Sequence, residues 1–536
     1  MRHVPPLLLV GLALLGLAVA GCAPTRMPDA GAPVTDAAYE VPAAFTREDA
    51  QRMFAQGYIS VSNRYIEPVD MASFVVAGLR GLHRFDPALD AVATDSAVEI
   101  RKGDRRIARF LQPDEDRGAD WARLSIDAIQ AARAVSPPLA EADAESIYDA
   151  VFDSALASLD RFSRYAGALE ARLNRGSRNG FGGIGIVFSI HDDGGVMVED
   201  VVRDGPAAAA GVQAGDRILS ADGVSFDSAD TDLVRERLRG PVGSIVRLTL
   251  LRGNTVTVAI ERGLIVMPTV DLVLEEGVAV LRLSSFNQAT TEAVADAVQE
   301  ALSRGGPSGE PPRGFIIDMR GNPGGLLDQS VRVADLFLND GTIVSTRGRH
   351  PEARQYYSAT AGDIARGLPI VVLMDGDSAS AAEILAAALQ DSGRAVVIGT
   401  TSYGKGTVQT VIQLPNGGEI TLTWSRFHSP SGYVLHGLGV PPVACTSGRA
   451  SRTEPEVVES VLHDLRSQAA PIAQRLSSWR HTAFEDTEKR RTLRALCPAE
   501  HHEPNGLDER VARRLIQDHA LYARAVGMAG VRAASR

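Results

Sequence analysis

Met374-Asp375-Gly376-Asp377-Ser378-Ala379-Ser380-Ala381-Ala382-Glu383-Ile384-Leu385 runs from an apolar stretch, through a tight acidic turn, into an alanine-rich segment. Residues 370–374 are β-branched or apolar and read as a strand. Residues 379–390 read as a helix, with Gly393 just beyond its end. Ser378 and Ser380 therefore fall at a helix start, where small neighbours leave a hydroxyl accessible and the helix dipole favours developing negative charge. This is the strand–turn–helix logic of a nucleophile elbow without its usual spelling. Alone, a serine at a helix start is more often a cap.

Working outward, the pattern alternates. Residues 278–283 and 315–319 are apolar and β-branched, 290–303 and 326–338 are helical, and 395–398 form a further strand. Strands separated by helical runs imply crossover units and a largely parallel sheet, with chemistry expected where strands end and helices begin. A second such place is Asp318-Met319-Arg320-Gly321-Asn322-Pro323-Gly324-Gly325. Amides exposed there, backed by a helix N-terminus, suit a negative oxygen. The plainer reading is a tight turn that needs positive φ.

Lysine use sharpens the assignment. Only Lys102, Lys405 and Lys489 occur among 55 basic residues, so arginine serves nearly everywhere a positive charge suffices. Arginine cannot give up its proton, whereas a desolvated lysine can. Lys405 lies in Thr401-Ser402-Tyr403-Gly404-Lys405-Gly406-Thr407-Val408-Gln409, directly after the next core strand. To act as a base near neutrality its amine must drop about three units from about 10.4, roughly 4 kcal/mol of differential desolvation. The alternative is a solvated surface lysine.

Between residues 180 and 265 the period is strand-like, with many short strands and one or two short helices, as in a small barrel-like domain. Gly183-Ile184-Gly185-Ile186, Gly205-Pro206-Ala207, Ala210-Gly211 and Gly215-Asp216-Arg217-Ile218 together resemble a PDZ domain. That resemblance implies strand addition by an extended peptide, whose terminal carboxylate the amides of Ile184, Gly185 and Ile186 would capture beside Gly183. Residues 43–87 and 147–159 read as helical, and 88–140 as a mixed insertion with no assigned fold. Residues 446–536 read as a helical, arginine-rich extension.

These motifs in this order resemble the carboxyl-terminal processing peptidases, tail-specific serine proteases with a PDZ domain and an α/β core. The resemblance covers residues 43–442 apart from the insertion. It implies a multidomain α+β fold: a helical N-terminal region (43–179, insertion at 88–140), a PDZ-like β-domain (180–265), an α/β protease core (266–445) and the helical extension (446–536). It implies Ser380 as nucleophile, Lys405 as general base and Gln409 as the residue that orients the lysine. Oxyanion donors would be the amides of Ala381 and of Gly324 or Gly325. Tyr65, Glu67, Pro68 and residues 160–165 match the family's helical signatures less sharply. Gly439-Val440-Pro441-Pro442 lacks the acidic residue with which the family usually closes its core. The expected activity is serine endopeptidase cleavage near protein C-termini, without a cofactor. The alternatives are a catalytically silent PDZ scaffold, or a serine–histidine protease using His428 or His436.

The amino end reads as an address. Met1-Arg2-His3 is a short basic region and residues 7–20 are an apolar run too short for a membrane span. Val19-Ala20-Gly21-Cys22 resembles a bacterial lipobox, which implies a signal peptide (1–21), lipidation of Cys22 and a low-complexity tether (22–42). The expected location is the bacterial cell envelope, anchored by lipid and facing the periplasm. Ala23 favours the outer membrane if the cell is Gram-negative. Cys445 and Cys497 then remain, a candidate disulfide pair in an oxidising compartment, with two unpaired thiols as the alternative. No zinc-type spacing or HExxH occurs, so no metal is expected. The composition, 45% apolar and 23% charged, is that of a folded chain, and the net charge of -11 argues against a nucleic-acid surface. Expected partners are proteins or peptides with apolar C-termini and a membrane reached through the lipid. An adaptor or homo-oligomer is left open.

Overall fold

The computed structural model describes residues 44–113, 117–191, 195–227, 230–305, 309–360, 362–448, 454–503 and 506–530. The expected signal peptide (1–21), Cys22 and the expected tether (22–42) lie outside the described residues. Among the described residues no helix is long and apolar enough to cross a membrane.

Six strands form the central sheet, in the order Val270–Glu275, Val278–Leu283, Phe315–Asp318, Ile370–Met374, Val396–Gly399, Ala444–Cys445. The first pair is antiparallel and every later pair is parallel. Parallel strands are joined by helices, here Thr290–Arg304, Leu327–Asp335 and Ala381–Asp391. Side chains alternate between the two faces of the sheet. Ala279, Leu281, Phe315, Ile317, Ile370 and Val372 pack on one face with those helices. Val280, Ile316, Val371, Leu373, Val396 and Ile398 point to the other. A sheet apolar on both faces needs a layer on each. The second layer comes from the C-terminal extension, whose Val461, Leu465, Leu476, Leu515, Ile516 and Leu521 fill it.

An antiparallel sheet that the strand–helix alternation did not announce stands beside the first. It orders Gln355–Ser358, Thr342–Arg347, Glu419–His428 and Thr407–Gln413, with Arg164–Ala166 added along Glu419–His428. The N-terminal helices Arg47–Arg64, Met71–Arg80, Gly118–Arg133 and Ala144–Ala157 pack on it, burying Leu414, Ile420 and Leu422 among Phe54, Phe152 and Tyr165. The first part of the insertion expected at 88–140 is a three-stranded antiparallel sheet, Leu89–Thr94, Ala97–Lys102 and Arg105–Leu111, which buries Leu89, Ala91, Val98 and Ile100 in that same core, and its remainder supplies the helices Gly118–Arg133 and Pro137–Glu141.

Residues 181–265 form a separate small core of Val196, Ile218, Phe226, Val234, Leu248 and Ile260. Its sheet runs Asn254–Glu261, Ile245–Arg252, Arg217–Ala221, Gly195–Val201, Ile186–His191, which leaves Ile186–His191 at an edge. The chain enters through Phe181–Gly183 and leaves through Gly263–Ile265, and these two pair antiparallel. The preceding helix, Ala168–Asn179, is clamped to the antiparallel sheet. Buried Glu419 accepts from Arg175 at 2.8 Å and from Arg178 at 2.8 and 3.1 Å.

Candidate active site

The strand Ile370–Met374 ends at Asp375, which is fully buried and shapes the turn. Its Oδ1 accepts from the amides of Asp377 (3.1 Å), Ser378 (3.0 Å) and, from the first turn, Gly321 (2.9 Å). Ser378 is also fully buried and its hydroxyl donates to the carbonyl of Met319 at 2.8 Å. Ser378 therefore braces the turn. Ser380 is half-buried and sits at φ 55°, ψ -114°, immediately before the helix Ala381–Asp391. A non-glycine residue at positive φ costs of order 1–3 kcal/mol and persists where neighbours hold it. Here the amide of Ser380 donates to the Glu383 carboxylate at 2.8 Å.

The two turns are laced together. The amide of Ala379 donates to the carbonyl of Asn322 at 2.9 Å, and the Asn322 side chain donates to the carbonyl of Leu283 at 2.7 Å. A Cβ on Gly324, at φ 100°, would lie 2.8 Å from the Cβ of Ser380, so only glycine lets the turns approach this closely. The amide of Gly324 donates to the Asn322 side chain at 2.8 Å. Among the described residues the amides of Gly325 and Ala381 donate to no protein acceptor. Of the three expected oxyanion donors, those two remain open.

Lys405 arrives from the neighbouring strand Val396–Gly399, parallel to Ile370–Met374. Glu383, on the first turn of the helix, ties it to Ser380. One carboxylate oxygen, Oε2, accepts from the amides of both Ser380 and Lys405, each at 2.8 Å. The other, Oε1, accepts from the amide of Gly404 (2.7 Å) and the hydroxyl of Ser402 (2.5 Å). Burial pushes the Glu383 carboxyl above its ordinary pKa, against four donors that pull it down. Burial likewise holds the Lys405 amine below the usual lysine range; Arg164 adds to the drop and Glu383 opposes it. Both directions are those of a desolvated site.

Gln409 lies on the strand Thr407–Gln413, beyond a register shift between Val408 and Gln409. Its amide nitrogen donates to the hydroxyls of Thr407 (2.9 Å) and Thr423 (3.4 Å), and among the described residues no hydrogen bond joins it to the Lys405 amine. His428 has Nδ1 3.4 Å from the carbonyl of Gly432. His436 packs against Phe162, and burial brings its pKa down to about 4.

Behind the turns runs a strap from the extension. Cys445 and Cys497 are joined by a disulfide, with Cα atoms 6.0 Å apart. The carbonyl of Cys497 accepts from the Thr401 hydroxyl (2.6 Å) and that of Glu500 from the Gly376 amide (2.7 Å). Arg320 holds Asp318 at 2.7 Å and reaches the carbonyl of Glu503 at 2.9 Å. Asp375, Asp377 and His501 bring carboxylate and imidazole atoms within 4.8 Å of one another. With Asp375 already committed to the amides of its turn, the trio belongs to this bracing.

On the small domain, Gly185 adopts φ 77°, and among the described residues the amides of Ile184 and Gly185 have no acceptor. Ile186 begins the edge strand and Gly183 ends the strand before it. The positions expected to bind a peptide terminus thus share one loop beside an open edge.

Glu383 and Asp375 are the site residues that sequence reasoning passed over. A glutamate three residues into a helix after serine reads as an ordinary capping acid. Only the third loop, brought in by the fold, shows what Glu383 joins.

A strained serine at a strand–helix turn, open amides beside it and a desolvated lysine define a serine-type hydrolase. The class is borne out by comparison. Residues 277–443 match Peptidase family S41 and residues 182–261 match the PDZ domain. The carboxy-terminal-processing protease of Bartonella bacilliformis is 38% identical over 304 residues, covering 56% of this chain and 69% of that protein. The carboxyl-terminal-processing protease of Synechocystis is 33% identical over 269 residues, covering 48% and 61%. Among solved structures, a photosystem II D1 C-terminal processing protease aligns at 25% identity and a TM-score of 0.38, over 77% of this chain and 96% of that one. This chain belongs to the carboxy-terminal processing proteases of peptidase family S41 and carries a PDZ domain.

Proposed function

We propose that this chain is a serine endopeptidase with a Ser380–Lys405 dyad that cleaves proteins near their C-termini. The observation that carries the reading is the single Glu383 oxygen accepting from the amides of both residues, which brings hydroxyl-bearing and amine-bearing turns to one atom. The neutral Lys405 amine takes the Ser380 proton as the oxygen attacks a peptide carbonyl. The amides of Gly325 and Ala381 hold the tetrahedral oxyanion, Lys405 returns the proton to the leaving amine, and water releases the acyl group. An apolar substrate tail adds as a strand along Ile186–His191, its carboxylate on the amides of Ile184 and Gly185. The chain is an exported lipoprotein, held at the envelope through Cys22 with residues 22–42 as tether.

Cleavage of an unfolded protein with an apolar C-terminus tests the dyad. Ser380→Ala and Lys405→Ala should each lose on the order of 10³-fold or more in kcat/KM. Lys405→Arg should be as inactive, since a guanidinium cannot shed its proton. Wild-type rates in the alanine variants would end the assignment. Incorporation of labelled palmitate that Cys22→Ser abolishes would mark the anchor, and its persistence in that variant would refute it.

A further inference from the structure

The segment Asp160-Arg161-Phe162-Ser163 links the helix Ala144–Ala157 to the strand Arg164–Ala166 and has so far no part in the chemistry. Its conformation is fixed twice. Asp160 Oδ1 accepts from the amides of Phe162 (2.6 Å) and Ser163 (2.8 Å), and Oδ2 from the Ser163 hydroxyl (2.9 Å). The Ser163 oxygen in turn accepts from the Thr423 amide at 3.1 Å, which ties the turn to the strand paired with Thr407–Gln413. Its partner Thr407–Gln413 begins two residues after Lys405. The result is that the Lys405 Nζ lies 5.3 Å from the centroid of the Phe162 ring. The ring is itself held: the Arg161 guanidinium is 4.8 Å from its centroid and the His436 ring meets it edge-on at 6.0 Å.

We propose that Phe162 is a positioning residue for the lysine base, closing the Lys405 amine off from water and fixing where its nitrogen rests. This extends the proposed Ser–Lys reading and depends on it. A phenyl ring acts on an amine in two opposed ways. Its face attracts an ammonium, which favours the charged form. Its bulk removes water, which favours the neutral form. Burial is the largest influence on Lys405 and acts toward the neutral form, and the ring 5.3 Å away is one of the groups that bury it. The charged groups that act on the amine are Arg164 from the adjoining strand and Glu383 from the helix, while Arg161 from the turn and His436 from the far loop flank the ring itself. Arg164 reinforces the effect of burial and Glu383 opposes it. Arg164 and Glu383 keep their identity in the Phe162 variants, whereas Arg161 and His436 lose their contact with the ring.

The chain has only three lysines, so the amine can be read directly in the full-length protein. Acylation by an amine-reactive ester, followed by mass spectrometry across pH, gives the labelling midpoint of Lys405 against exposed Lys489 as internal standard. In Phe162→Ala the Lys405 midpoint and the acid limb of kcat/KM should both move up by roughly one pH unit or more. Phe162→Leu keeps apolar bulk without the π face, and neither quantity should move up. If Phe162→Ala melts below the assay temperature, Phe162→Val replaces it under the same criteria. Unmoved midpoints in the truncated variant, or an equal upward shift in Phe162→Leu, would overturn the proposal. Full activity in Lys405→Ala would instead refute the base assignment, while the labelling midpoints would still report what the ring does to the amine.

Discussion

Glu383 is the residue on which the amides of Ser380 and Lys405 meet. Replacing it with alanine leaves four donors without that acceptor, those of Ser402 and Gly404 buried, at a cost of about 1–3 kcal/mol for each buried group left unsatisfied. Glu383→Ala should melt well below the wild type by calorimetry and retain little cleavage. Lys405 makes the opposite case. Its pKa is lowered in the fold, so at pH below that value the protein must bury a charge that the unfolded chain keeps solvated. The unfolded state binds more protons between the folded pKa and about 10.4, so stability rises with pH across that window. Lys405→Met should therefore raise the melting temperature at neutral pH, with the gain shrinking toward pH 10, while abolishing cleavage. A gain that grew with pH would refute the sign. At this scale the sequence was informative where a residue was rare or oddly placed. Lys405 stood out because arginine fills almost every other basic position, whereas Glu383 and Asp375 looked like any acid near a turn.

Among the elements, the helix Ala168–Asn179 decides how the small domain is hung. Its arginines converge on buried Glu419, and breaking such a pair by removing one side typically costs 3–5 kcal/mol. Glu419→Ala should lower the melting temperature and speed proteolytic nicking near residue 180; unchanged digestion would show that the clamp is dispensable. The crossover units 278–398 were legible because each strand and helix carries its own period. The antiparallel sheet was not, because its strands are drawn from residues 164–428 and no local pattern announces that pairing. The same blindness hid the fold of residues 89–111, whose short strands bury only part of one face in the helical core.

For the molecule as a whole, the extension is a structural layer. In sequence it lies past the last recognisable family motif, and nothing local says that its apolar stripes belong against a sheet begun nearly two hundred residues earlier. Yet without it Val280, Ile316, Val371, Leu373, Val396 and Ile398 would face water. Each is worth roughly 1.5–3 kcal/mol when buried, more in sum than a typical domain's net stability. A chain ending at residue 446 should be insoluble or bind a hydrophobic dye strongly; a soluble, cleavage-competent truncation would refute this. The disulfide closes a loop of sequence separation 52, worth about 4 kcal/mol in the chain-entropy picture, so reduction should lower the melting temperature measurably.

The carboxylate shared by the Ser380 turn and the Lys405 loop has a consequence for how the two move. Because one buried carboxyl answers to both, neither loop can wander while the other stays in register without leaving interior hydrogen-bonding groups unpaired. Partial assembly is thereby penalised, so the two turns should hold or loosen together.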